Sequence, residues 1–258
     1  MTLEICNNSL FLSRLMKILS FYLLLLLLSV FESKGKNVLH IKHKGFKLLK
    51  SIPEPSDIVF DSIGHHYYIV SDHGYLFECD TNLNVVRKAE KSGLDFEGID
   101  IRDGFIYISD ETPREVYKYR MSDLAFVEKY PVSWGGAANK AFESISYNYV
   151  RHCFVLVAQQ PTVLVEYDST FKETGRYKIK GARNIAGARW HNGLLYLLSS
   201  LDASILVCDP NNYNVTTVYH LNVLNPEGIS FDDRGQMRLV SDDTRRVYYF
   251  DKLPILHQ

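Results

Sequence analysis

One unit of sequence recurs five times between Pro55 and Phe250, and a chain built this way has to bury each copy against the next. The copies read "PSDIVFDSIGHHYYIVSDHGYLFECD" from Pro55, "FEGIDIRDGFIYISDETPREVYKY" from Phe96, "FESISYNYVRHCFVLVAQQPTVLVEYD" from Phe142, "IAGARWHNGLLYLLSSLDASILVCD" from Ile185 and "PEGISFDDRGQMRLVSDDTRRVYYFD" from Pro226. With Asp57, Glu97, Glu143, Ala186 and Glu227 taken as anchors, the copies stand 40, 46, 43 and 41 residues apart. That is the length of four short strands with their turns, one blade of a propeller.

Each copy follows the same grammar. A short strand leaves the anchor and ends in a turn such as "RDG", "HNG" or "DDRG", where Gly104, Gly193 and Gly235 suit positive φ. A second run such as "FIYIS" or "LLYLLS" is apolar throughout, as expected of a strand covered on both faces. A third strand ends in an acidic turn at Asp80, Asp168, Asp209 and Asp251, and a fourth, as in "LNVVRKAEK", is polar enough for an outer edge. The last copy has only "KLPILHQ" left after its third strand, so "FKLLKSI" at 46–52 is expected to supply the missing outer strand and close the ring. The predicted fold is therefore all-β, a five-bladed β-propeller. A solenoid or sandwich is the alternative, and solenoid coils usually take fewer residues.

The first 36 residues differ from the rest. Arg14 and Lys17 precede an apolar run from Ile18 to Phe31 that includes Leu23 to Leu28, the charged and apolar regions of a secretory signal. At 14 residues the run is short for a membrane span, and no small-x-small cleavage motif follows it. Residues 1–36 are read as a signal peptide or signal anchor, with a possible N-terminal extension before Met16-Lys17, and 37–258 as the propeller. Lys plus Arg (29) nearly balance Asp plus Glu (30), which argues against nucleic acid as a partner. Beyond Cys6, Cys79, Cys153 and Cys208 each sit in an apolar run and read as small buried hydrophobes.

In a propeller the anchors begin the innermost strands, and the ends of the second strands return beside them. Asp57, Glu97, Glu143 and Glu227 are thereby expected at one channel mouth, next to Ser71-Asp72, Asp110-Glu111, Gln159-Gln160 and Asp242-Asp243. Clustered carboxylates repel one another unless a cation sits between them, and oxygen donors without histidine or cysteine suit calcium better than zinc. The same carboxylates can instead serve as acceptors for backbone N–H groups in turns. Residues alone leave both readings open.

The motifs "DFEGIDI" with "YISDE", "AFESISY", and "NPEGISFDDRG" with "LVSDD" resemble the SdiA-regulated, or YjiK-like, family of small bacterial envelope propellers from Phe46 to Phe250. The resemblance implies a five-bladed fold, an N-terminal signal or membrane segment, and a calcium ion at the central opening. It also implies Glu97, Glu143 and Glu227 as metal ligands, with Glu111 and Asp110 beside them. Ala186 and Gln159-Gln160 depart from the acidic pattern and imply an asymmetric site.

For function, the first expectation is a non-enzymatic, calcium-stabilised binding or sensory module in the cell envelope, periplasmic or otherwise extracytoplasmic, either released or anchored in the membrane. Its partner would be a small molecule or an envelope component. Trp134 in "PVSWGGAANK" is either a ligand platform or an aromatic packed under its loop, and Arg114 or Arg245 can steer an anion. The alternative is a metal-dependent hydrolase of phosphate esters or lactones at the channel, with no Gly-x-Ser-x-Gly elbow or P-loop to suggest other chemistry.

Overall fold

The computed structural model describes residues 37–135, 141–159 and 161–254. The N-terminal apolar segment, the part of the Trp134 loop beyond Gly135, and Gln160 lie outside the described residues. Among the described residues, twenty-one strands, β1 to β21 in chain order, form five separate sheets. Blade 1 comprises β3 (Pro55–Asp61), β4 (His66–Ser71), β5 (Tyr75–Cys79) and β6 (Val85–Lys88). Blade 2 comprises β7 (Phe96–Arg102), β8 (Phe105–Asp110), β9 (Glu115–Arg120) and β10 (Phe126–Pro131). Blade 3 comprises β11 (Phe142–Asn148), β12 (Cys153–Ala158), β13 (Val163–Tyr167) and β14 (Glu173–Lys178). Blade 4 comprises β15 (Gly187–His191), β16 (Leu194–Ser199), β17 (Ser204–Cys208) and β18 (Val215–His220).

Blade 5 takes β19 (Gly228–Phe231), β20 (Gln236–Ser241) and β21 (Arg246–Lys252) from the C-terminal copy and β2 (Gly45–Leu48) from the N-terminal side. β2 pairs antiparallel with β21, Phe46 opposite Tyr248, so the closure expected from sequence is the one that forms. A further strand that the repeat does not announce, β1 (Asn37–His40), lies parallel to β18 and covers the outer edge of blade 4. The inner strands touch in the cyclic order β3, β7, β11, β15, β19 and back to β3, so the ring closes within residues 37–254 and this stretch is a folding unit of its own.

The blades stay flat-sided because their second and third strands are apolar on both faces. All six residues of β12 are buried, whereas β14 at the rim alternates exposed and half-buried positions. Five hydrophobic clusters result, one at each seam between neighbouring blades. The Asp103-Gly104 and Asn192-Gly193 hairpin turns have φ of 51° and 79°, and 48° and 79°, the paired left-handed values that match strand twist. Cys79, Cys153 and Cys208 are buried, as expected, and burial pushes the Cys79 and Cys153 thiols up to about 12.

The inner strands approach one another closely at the axis. A Cβ added at Gly98 would lie 2.5 Å from Ile145 N, and one at Gly228 would lie 2.5 Å from Asp57 Cα. Asp57, Gly98, Ser144, Gly187 and Gly228 occupy the same place in their blades, one residue past the glutamate position, which in blade 1 is Ser56. The alignment that takes Asp57 as the counterpart of Glu97 is therefore one residue out of register, and a slip of one turns a strand side chain to the other face.

Asp57 does not reach the mouth. It is fully buried, accepting hydrogen bonds from Ile58 N at 2.8 Å, Ile99 N at 3.0 Å and Ile229 N at 3.2 Å. Arg189 of blade 4 donates to Asp57 Oδ2 at 3.0 Å, Asp100 Oδ1 at 2.9 Å, Ile58 O at 3.1 Å and Ile229 O at 2.8 Å. Asp100 in turn accepts from Tyr147 N at 2.7 Å and Ser146 Oγ at 3.1 Å. All five blades are thus joined through one buried ionic network. Burial pushes Asp57 up to about 7 even with Arg189 opposing the shift.

Replacing Arg189 by Met leaves buried carboxylates without their cation and is expected to lower unfolding stability by about 3–5 kcal/mol. Urea denaturation at pH 8 checks this, and the loss should shrink at pH 5, where Asp57 can take up a proton.

Candidate metal centre

Strand polarity places the starts of the inner strands and the ends of the second strands on one face. At each start the glutamate sits in a bulge. Strand register slips between Phe96 and Gly98 and between Phe142 and Ser144, while Glu227 N and Gly228 both face Val240. A bulge re-aims the side chain of its extra residue, and here it leaves Glu97, Glu143 and Glu227 half-buried on the mouth side of the axial network.

Asp72, Asp95 and Glu97 each offer one carboxylate oxygen, and these atoms lie within 4.8 Å of one another. Asp72 directly follows β4, and its N–H is bonded to Glu54 O at 3.0 Å. Asp95 is braced by its own N–H on Asp110 Oδ1 at 2.9 Å and by Thr112 Oγ1, which donates to Asp95 Oδ2 at 2.6 Å. All three donors are hard oxygens, the set that a divalent cation such as calcium, magnesium or manganese takes.

Like charge dominates this mouth. Burial first, then Glu143, Glu227, Asp95 and Asp72, hold the Glu97 carboxyl well above its ordinary range. Glu143 is raised by burial and by Glu111, with which it shares a hydrogen bond. Burial, followed by Asp242 and Glu143, pushes Glu227 up to about 9. The hydrogen bond that Asp72 shares with Asp95 is the leading reason it is pushed up to about 7. Protons here do what a cation would do, separating carboxylates that cannot all ionise together.

The residues singled out from sequence fall into two groups. Glu97, Glu143 and Glu227 come within electrostatic reach of one another, and Glu111 joins them while accepting from Ala141 N at 2.7 Å. Both oxygens of Asp110 are occupied by the N–H groups of Leu94, at 3.0 Å, and Asp95, at 2.9 Å, so it acts on the loop carrying Asp95. Asp95 was legible only as the acid two residues before Glu97, and since it precedes β7 and a bulge follows it, strand alternation could not place it. His73 Nε2 lies 3.1 Å from Glu54 at the edge of the mouth, a pairing that no sequence motif announces.

Trp134 is 8% exposed, 5.2 Å from Phe142 in the core between blades 2 and 3, and Arg114 donates to its carbonyl at 2.7 Å. His66 bonds Glu78 and His191 stacks on Phe231 at 4.2 Å, both away from the carboxylates.

A family model described as SdiA-regulated matches residues 38–251. The chain belongs to the SdiA-regulated family. Among solved structures, a glutaminyl cyclase from Myxococcus xanthus superposes with a TM-score of 0.65 at 15% identity, over 84% of this chain and 100% of that one. A streptogramin B lyase superposes at 0.50 and 12% identity, over 81% of this chain and 74% of that one. At such identities the likeness is one of fold.

The expectation of a non-enzymatic module nevertheless does not hold. The scaffold is one on which a cyclase and a lyase are built, and in this member three mouth carboxylates lie close enough together to chelate a metal. Membership of the SdiA-regulated family also accords with a location outside the cytoplasm.

The raised carboxyls set the pH response of the metal-free protein. Above about pH 5 the unfolded chain has released these protons while the folded mouth retains them, so folding takes up protons and stability falls as pH rises toward 9. In chelator, Tm should be higher at pH 5 than at pH 8, and thermal scans across that range check it.

Proposed function

We propose that the mouth holds a divalent cation, calcium as the family resemblance implies, and that the protein is a metal-dependent hydrolase of phosphate esters or lactones. The observation that carries this reading is the convergence of Asp72, Asp95 and Glu97 within 4.8 Å among further carboxylates. These three would hold the ion, with Glu143 and Glu227 close enough to complete or tune the site. A bound divalent cation supplies Lewis acidity toward a carbonyl or phosphoryl oxygen.

The chain's own groups account for the rest. An acidic mouth repels an anionic ester, so phosphate binding there requires the cation and specificity is tied to it. The hydrogen-bonded Glu111–Glu143 pair keeps one proton between two carboxyls, an arrangement that can accept a proton from water and return it to a leaving oxygen. The buried axial network lies beneath the carboxylates, which leaves the mouth as the side from which substrate would meet them. We place the protein outside the cytoplasm, delivered by the apolar segment of residues 1–36 as signal peptide or anchor, with a small molecule as its partner.

Calorimetric titration of calcium into the chelator-treated domain of residues 37–258 tests the site. The combined variant Asp72→Asn, Asp95→Asn, Glu97→Gln serves as control. One-site binding lost in a variant that melts normally is expected. So is hydrolysis of an aryl phosphate or an aliphatic lactone that falls on the order of 100-fold or more in chelator. A folded domain that binds no divalent cation, or binds one and cleaves neither class, overturns the proposal.

A further inference from the structure

On the face opposite the mouth, where the β3–β4, β7–β8 and β11–β12 turns lie, blades 1 and 2 part around a cavity of 620 Å³. The volume is that of a small-molecule site. Ile63, Ile101, Met121 and Tyr149 give it apolar walls, and Ile63 is 92% exposed at its entrance.

Its charged groups are already committed. Asp61 accepts from Ile63 N at 2.9 Å and Gly64 N at 3.0 Å. Glu78 is paired with Arg87 Nε at 2.6 Å and His66 Nδ1 at 3.0 Å, while Arg87 Nη1 also donates to Ser122 O at 2.8 Å. Arg102 is held by Asp103 at 3.0 Å and lies 3.7 Å above the Tyr147 ring. In contrast to the mouth, no carboxylate here awaits a cation.

Tyr68 is different. It is 2% exposed and lines the cavity, and its hydroxyl has no hydrogen-bond partner among the described residues. The oxygen is not sealed in protein, so the cavity is the space it faces. Burial pushes the phenol up to about 12, which keeps it an O–H donor. The other hydroxyls of the lining, those of Ser62, Ser122 and Tyr149, belong to exposed residues that water reaches, whereas a buried donor beside paired charges selects against ions and in favour of one acceptor oxygen on an apolar body.

We infer that this cavity is a second binding site, for an uncharged and largely apolar small molecule carrying a carbonyl or ester oxygen that accepts from the Tyr68 hydroxyl. The site stands apart from the metal centre, so its occupancy is independent of calcium.

Acetophenone and ethylbenzene share size and differ in the acceptor oxygen, so ligand-observed NMR titration of both into the domain of residues 37–258 tests the assignment. Acetophenone should bind saturably and about tenfold more tightly than ethylbenzene, a preference of the size one hydrogen bond supplies. Tyr68→Phe should erase the preference, Ser122→Trp should block both molecules, and chelator should change neither. Each variant is checked by its melting curve. Equal binding of the two molecules, a preference that survives Tyr68→Phe, uptake that survives Ser122→Trp, or no saturable binding by the folded domain overturns the assignment.

Discussion

Arg189 carries a full charge to the point where the five inner strands converge, and the rest of the ring is arranged around satisfying it. Its guanidinium meets Asp57 of blade 1, Asp100 of blade 2 and the carbonyl of Ile229 in blade 5, while Asp100 passes the connection on to Tyr147 in blade 3. A buried ion pair gives little net stability compared with apolar packing, yet it penalises every arrangement that separates the partners. That penalty acts on blade order and register, which seam packing between similar apolar faces specifies only weakly.

The same network fixes what the mouth can be. By filling the axis with buried side chains it turns a ring with two openings into a cup with a floor, and the bulged glutamates stand on the open side of that floor. Desolvation and mutual repulsion then act on Glu97, Glu143 and Glu227 together. Carboxylates crowded this closely oppose the folded state unless protons or a cation neutralise them, and such locally unfavourable arrangements concentrate at functional sites. The opposite face follows other rules, since the acids of its cavity are each matched by a donor and the Tyr68 hydroxyl is a buried donor left unspent there.

Much of this was legible in the chain itself. The five copies, the Asp-Gly and Asn-Gly turns, the apolar second strands and the closing segment at 46–52 gave fold and closure, because strand period and turn chemistry are local properties. The glutamates of "FEG", "FES" and "PEG" were legible as mouth residues for the same reason. Asp57 was misplaced because "PSD" offers an acid one residue past the glutamate position, and nothing local tells a bulged position from the one after it. Arg189 could not be read at all, since its partners are 132 and 89 residues away in sequence.

The sequence by itself therefore determined the repeat, the blade count, the strand that closes the ring and the acidic character of its mouth. These follow from periodicity, turn residues and composition, which act over a few neighbours. Tertiary structure decided which acids face one another, that Asp72 and Asp95 join Glu97 while Asp57 is withdrawn into the axis, and that Tyr68 opens onto a cavity instead of a packed seam. Those outcomes depend on distances between residues brought together only when the ring closes, and on desolvation, which exists only once the surrounding blades are in place.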